Sequence, residues 1–122
     1  MANNTETTKK VSAELLCLLL LSERDMYVYE ITQEISRRSQ GLLSLAEAAI
    51  YVTMYRLVKN GYVTDRREMI GQTKPRIRVY YHITDDGREY FEKILEAHKR
   101  AMKGLKYFFA YVEEPGEPAL EV

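Results

Sequence analysis

Apolar residues recur along the chain at different spacings, and each spacing predicts an element. The run Leu15-Leu16-Cys17-Leu18-Leu19-Leu20-Leu21 is apolar on every side, so a first helix over residues 11–21 must be covered on more than one face. Tyr27, Ile31 and Ile35 stand four apart, the stripe of an amphipathic helix over residues 26–38 that Ser39-Gln40-Gly41 brings to an end. Leu42 and Leu43 then staple the turn into a third helix. Ser44-Leu45-Ala46-Glu47 fits a capping box and starts that helix at about Leu45. Its inner face carries Ile50, Met54 and Leu57 with Val58 at the margin, and Asn60-Gly61 stop it, glycine being free to take the left-handed C′ conformation.

Past Gly61 the period falls to two. Tyr62-Val63-Thr64 open one strand, and Ile77, Val79, Tyr81 and Ile83 alternate with Arg76, Arg78, Tyr80 and His82 in a second, the first row turned inward. Residues 70–76 between them, with Gly71 and Pro75, read as a long polar hairpin tip. Thr84 caps a last helix whose first turn holds Asp85 and Asp86, the favourable dipole end for acids. Along that helix Phe91, Leu95, His98, Met102, Leu105, Phe109 and Val112 are separated alternately by four and three. This heptad seam, widened by Ile94, Ala101 and Phe108, needs a partner helix.

Taken in order, these elements predict a mainly α fold with a small β-hairpin: a winged helix-turn-helix domain over residues 11–84 and a dimerisation helix over residues 85–112. A flexible polar arm at residues 1–10 and a disordered acidic tail at 113–122 flank them. A chain of 122 residues can bury one core without disulfides or metal.

Composition changes the picture only through its distribution. Net charge is zero. Between Ala49 and Tyr81, however, Arg56, Lys59, Arg66, Arg67, Lys74, Arg76 and Arg78 face only Asp65 and Glu68, a surplus of five positive charges that the rest of the chain must balance. Such segregation suits one face docking on phosphates while the remainder disfavours non-specific sticking. The outer face of the third helix carries Ala48, Val52, Tyr55, Arg56 and Lys59, with Tyr51 on its flank. Small residues allow close approach to the major groove and contact with thymine methyls, and the basic ones reach phosphates or guanine edges. With Tyr29 of the second helix and Lys74, Arg76 and Arg78 of the hairpin, these form the expected DNA-binding set. The competing reading has Tyr51 and Tyr55 as ordinary cover packed on the hairpin.

No catalytic chemistry is legible. The two histidines, His82 and His98, and the lone Cys17 have no metal-ligand spacing, and neither a nucleophile motif nor a phosphate-binding loop is present. No metal and no cofactor are expected, and the chain does not read as an enzyme. Cys17 reads as a small buried residue in a reducing compartment. The leucine run is too short to span a membrane and is followed by Glu23-Arg24-Asp25 rather than a cleavage site, so neither a membrane partner nor secretion is expected.

Three strings resemble the PadR-like transcriptional regulators. Met26-Tyr27-Val28-Tyr29-Glu30-Ile31 is similar to the family's Met-Tyr-Gly-Tyr-Glu-Ile. Ile50-Tyr51-Val52, Tyr55-Arg56-Leu57 and Gly61 resemble its Leu-Tyr-Pro and Tyr-Arg-Leu-x-x-x-Gly. Tyr80-Tyr81-His82-Ile83-Thr84-Asp85-Asp86-Gly87 resembles its Tyr-Tyr-x-Ile-Thr-x-x-Gly. The chain departs at Ala48-Ala49, where members often place Gly-Thr, so phosphate contact at the helix start would fall to backbone N–H groups and Tyr51. The single last helix looks like the family's shorter class. The resemblance implies a cytoplasmic bacterial repressor that binds a palindromic operator in double-stranded DNA as a homodimer. Its interface would use Leu15, Leu19, Phe91, Leu95, His98, Met102, Leu105 and Phe109. It also implies release by a small hydrophobic or aromatic effector; Leu15, Leu19, His98 and Met102 could line that pocket or equally a closed core. Two alternatives stay open: a winged-helix adaptor that binds protein and not DNA, and a ligand-binding protein with a vestigial DNA surface.

Overall fold

The computed structural model describes residues 12–113; the arm expected at residues 1–10 and, beyond Glu113, the expected acidic tail lie outside them. The elements are α1 (Ala13–Glu23), β1 (Met26–Tyr27), α2 (Val28–Arg38), α3 (Glu47–Lys59), β2 (Val63–Ile70), β3 (Arg76–Ile83) and α4 (Asp85–Glu113). The strands form one antiparallel sheet in the order β1-β3-β2. This is the winged-helix arrangement that the periodicities predict, with one strand more than the hairpin supplies.

α1 starts where the Ser12 hydroxyl accepts the Leu15 N–H at 3.2 Å. Leu15, Cys17, Leu18, Leu20 and Leu21 are buried, because α1 packs on α2, α3 and β3 at once. A helix apolar on every side requires that much cover.

The second helix begins later than its sequence spacing suggests. Met26 and Tyr27 pair with Tyr81 and Tyr80 as β1, and Tyr27 becomes the N-cap of α2, its N–H donating to the Glu30 carboxylate at 3.3 Å. An extended pair beside β3 satisfies backbone groups that a first helical turn would leave without partners. The core stripe is accordingly Val28, Ile31 and Ile35, with Tyr27 only half-buried. At the other end Gln40 takes the left-handed conformation, φ 54°. The Gly41 N–H donates to Ser36 O at 2.8 Å and the Gln40 N–H to Arg37 O at 3.2 Å, a Schellman closure with a non-glycine at C′.

α3 starts at Glu47, and its N-cap is Ala46, which has no side-chain acceptor. The expected capping box from Ser44 is therefore not what starts the helix. The Ser39 hydroxyl accepts the Leu43 N–H at 2.9 Å and donates to Ile35 O at 2.8 Å, which ties the entering chain to the end of α2 and keeps residues 43–46 out of the helix. Leu42 is exposed and does not staple the turn. α3 closes as expected: the Tyr62 N–H donates to Leu57 O at 2.9 Å and the Gly61 N–H to Val58 O at 3.0 Å, with Gly61 at φ 80°.

The hairpin is longer than the body beneath it. Each strand has eight residues, about 26 Å of extended chain. Val63, Tyr81 and Ile83 at its base are buried, whereas Met69 and Ile77, paired across the far end, are 66% and 58% exposed. The inward row thus holds at Tyr81 and Ile83, is half-buried at Val79 and fails at Ile77, which borders an open cleft rather than the core.

The base of α4 is pinned to the wing. The Thr84 hydroxyl accepts the Gly87 N–H at 3.0 Å and donates to Gly61 O at 2.7 Å, while the Thr84 N–H donates to Tyr62 O at 3.0 Å. A Cβ on Gly87 would stand 2.0 Å from that same carbonyl oxygen. Tyr90 stacks on Tyr62, centroids 4.3 Å apart, and Phe91 is buried.

The chain divides into two compact units between Phe91 and Glu92. The first turns of α4 therefore belong to the winged unit, past the boundary expected at residue 84. In the second unit the His98 Nδ1–H donates to Ile94 O at 2.9 Å. Leu95 and His98 are partly covered, and Met102, Leu105 and Phe109 are exposed together with Tyr107, Phe108 and Tyr111.

Candidate nucleic-acid interface

α3 divides cleanly by phase. Ile50, Met54 and Leu57 are buried, and so is Thr53, whose hydroxyl donates to Ala49 O at 2.9 Å. Thr53 lies three residues from Ile50 and four from Leu57, so its phase, rather than its polarity, was the signal for burial. Ala48, Tyr51, Val52, Tyr55, Arg56 and Lys59 are all exposed. Tyr55 is 68% exposed and does not serve as cover for the hairpin.

Tyr51 lines a cleft of about 420 Å³ between α3, the start of α2 and the outer half of β3. Tyr29, Arg76 and Arg78 line it too, so the fold brings these expected contacts from three elements to one concavity. Glu47, which local spacing marks only as a capping-box residue, supplies a carboxylate to the same cleft. Lys74 lies on the exposed tip beyond β2.

The charge surplus of the hairpin is only partly available. Arg66 pairs with Asp25, in the turn between α1 and β1, and with Glu68 at 2.7 Å. The Arg78 guanidinium lies 4.0 Å from the centre of the Tyr27 ring, a cation–π contact that keeps its charge but holds it against the tyrosine. Arg56 Nε stands 3.7 Å from Glu14 Oε2. Lys59, Arg67, Lys74 and Arg76 make no ion pair among the described residues. Asp25 also accepts from His82 Nδ1 at 2.8 Å. Partial burial raises its carboxyl, but the hydrogen bonds from His82 and Arg66 outweigh that, so its pKa sits below the ordinary aspartate value. Asp25 and Glu14 went unnoticed in the sequence because their partners are far along the chain.

The remaining expected residues fall in separate places. Leu15 is core, whereas Leu19 lines a shallow apolar groove of about 340 Å³ with Leu16, Leu20, Ile35 and Leu43. His98 and Met102 belong to the second unit. Burial pushes the Cys17 thiol up to about 12, so it is neither nucleophile nor ready ligand. Among the described residues no cluster could hold a metal ion, and no helix is long and apolar enough to cross a membrane.

A structure of a transcriptional regulator from Clostridium thermocellum superposes with a TM-score of 0.72 at 29% identity, covering 85% of this chain and 96% of that one. Bacillus subtilis PadR, solved in complex with operator DNA, matches with a TM-score of 0.62 at 25% identity over 70% of this chain and 47% of its own. An uncharacterised protein of Lysinibacillus sphaericus is 32% identical over 81 residues, 66% of this chain and 72% of that protein. The model of the transcriptional regulator PadR-like family matches residues 16–93, which take in nearly all of the winged unit and all three resembling strings. The chain belongs to the PadR-like family of transcriptional regulators, a family of regulators and not of enzymes.

Proposed function

We propose that the protein is a dimeric, sequence-specific DNA-binding repressor of the bacterial cytoplasm, released from a palindromic operator by a small hydrophobic effector. The exposed small, aromatic and basic face of α3, beside a wing whose Arg67, Lys74 and Arg76 make no ion pair among the described residues, carries the reading. α3 lies in the major groove, with Ala48, Val52, Tyr51 and Tyr55 toward the bases and Arg56 and Lys59 toward phosphates. Lys74 and Arg76 reach backbone or minor groove from the wing. The operator complex of Bacillus subtilis PadR supports this assignment. The exposed seam of α4 supports a dimer in which Met102, Leu105 and Phe109, with the partly covered Leu95 and His98, meet the other copy, whereas Phe91 and Leu15 are core residues of the winged unit and are not available to it.

Fluorescence anisotropy against the protein's own promoter and a scrambled duplex, at two salt concentrations, tests the reading. Preference for the promoter that weakens steeply with salt is expected, because neutralising phosphates releases counterions. Exposed Met69 and Ile77 on the wing favour the second reading, a protein-binding adaptor. Absent or salt-insensitive binding to both duplexes would select it.

A further inference from the structure

Arg56 lies at the margin of the exposed α3 face that is nearest α1, and Glu14 contacts it there. The two Glu14 carboxylate oxygens are divided between two partners. Oε2 stands 3.7 Å from Arg56 Nε, and Oε1 accepts the Tyr90 hydroxyl at 2.5 Å. The Glu14 side chain is 20% exposed and that of Arg56 52%, so the carboxylate is held from behind while the guanidinium still faces solvent. Tyr90 comes from the second turn of α4 and stacks on Tyr62, the residue after the Gly61 that closes α3. One carboxylate thus joins the leucine-rich helix, the exposed helix and the helix that carries the heptad seam.

On the DNA-binding reading above, we propose that Glu14 is a positioning residue that competes with DNA phosphate for Arg56, and that Tyr90 sets the strength of that competition. At 3.7 Å the guanidinium is beyond hydrogen-bonding range of the carboxylate and is held by charge alone. A phosphate oxygen accepting a short, charge-assisted bond can displace such a partner. The phenol proton draws negative charge toward Oε1 and weakens the pull of Oε2 on Arg56. The Glu14 hydrogen bond pushes the Tyr90 phenol up to about 12, so it remains a donor throughout the physiological range. A shift of the α4 base against α1 would lengthen the Tyr90 contact, strengthen the hold on Arg56 and lower affinity for DNA. No contact between effector and DNA-binding helix is then needed for release.

The test is an anisotropy titration of the full chain on promoter and scrambled duplexes. It compares wild type, Glu14→Gln, Tyr90→Phe, Arg56→Gln and each of the first two combined with Arg56→Gln, with circular-dichroism melts to verify folding. Tyr90→Phe keeps the ring stacked on Tyr62, so at least one arm reports on a folded protein. Glu14→Gln should tighten binding several-fold on both duplexes and steepen the logarithmic salt dependence by about one phosphate's worth. Tyr90→Phe should weaken binding about two- to threefold, and both effects should vanish in the Arg56→Gln background. Effects that persist there, or no effect from either folded variant, overturn the competition while leaving the DNA-binding reading intact. A wild type that binds neither duplex overturns both.

Discussion

Gly87 shows how a single missing side chain can hold two elements together. The Tyr62 carbonyl occupies the space a Cβ would need, and the same carbonyl accepts the Thr84 N–H at 3.0 Å. Gly87→Ala must therefore displace backbone and not merely a rotamer. Overpacking of this kind costs about 1–3 kcal/mol, and the variant should fall at the upper end, read as a lower urea midpoint at unchanged slope. Asp25 offers a contrasting case, in which hydrogen bonding and charge decide the outcome. Its folded pKa lies below the ordinary value, so its contribution is present above the unfolded pKa, about 3.9, and is lost as pH falls through the folded value. Asp25→Asn should lower stability at neutral pH by less than about 1 kcal/mol, since the pair is partly exposed. It should also flatten the acid limb of the stability curve. An acid limb identical to that of wild type would show that Asp25 does not tie the turn to the sheet.

At the scale of elements, helical phase was legible, and so was the Thr84 cap of α4, but the starts of α2 and α3 were not. Ile50, Met54 and Leu57 lie on the buried side of α3 as their spacing implies, because 3.6-residue geometry is local. The start at Glu47, not Leu45, follows from the Ser39 hydroxyl holding Leu43, and β1 exists only because Tyr80 and Tyr81 are alongside. The wing departs from its alternation for a related reason: Ile77 stands at the open cleft between β3 and the helices and not against the packed base, so it stays exposed. Arg76→Ala should weaken promoter binding about three- to tenfold and reduce the salt slope by about one, with an unchanged melting temperature because Arg76 is exposed and makes no ion pair among the described residues. Ile77→Ser should leave both stability and promoter affinity close to wild type. Equal losses of affinity from both substitutions would indicate that the wing contributes shape rather than charge.

On the scale of the whole molecule, the seam of α4 divides at the boundary between the compact units. Phe91 is buried in the first, while Met102, Leu105 and Phe109 stand about half exposed in the second. Apolar groups at heptad spacing left in solvent are what a partner helix would cover. Leu105→Lys should convert a dimer to monomer in sedimentation equilibrium at micromolar concentration, with the winged unit still folded by near-ultraviolet dichroism. A wild type that is already monomeric at high concentration would remove the seam from the dimer interface. Since a dimer presents two copies of α3, the same variant should reduce affinity for a palindromic site far more than for a single half-site.

The sequence by itself determined the order of the four helices and the hairpin, the buried faces of α2 and α3, the glycine stop at Gly61 and the cap at Thr84. Each of these depends on residues within a turn or two of one another, where backbone geometry alone relates position to environment. The tertiary structure decided which charges are available to a partner. Asp25 meets Arg66 and Glu14 meets Tyr90 across sequence separations of 41 and 76 residues, and Arg78 folds back onto Tyr27. No local pattern encodes such pairs, because an electrostatic contact depends on distance in space, which only the packed helices and sheet establish.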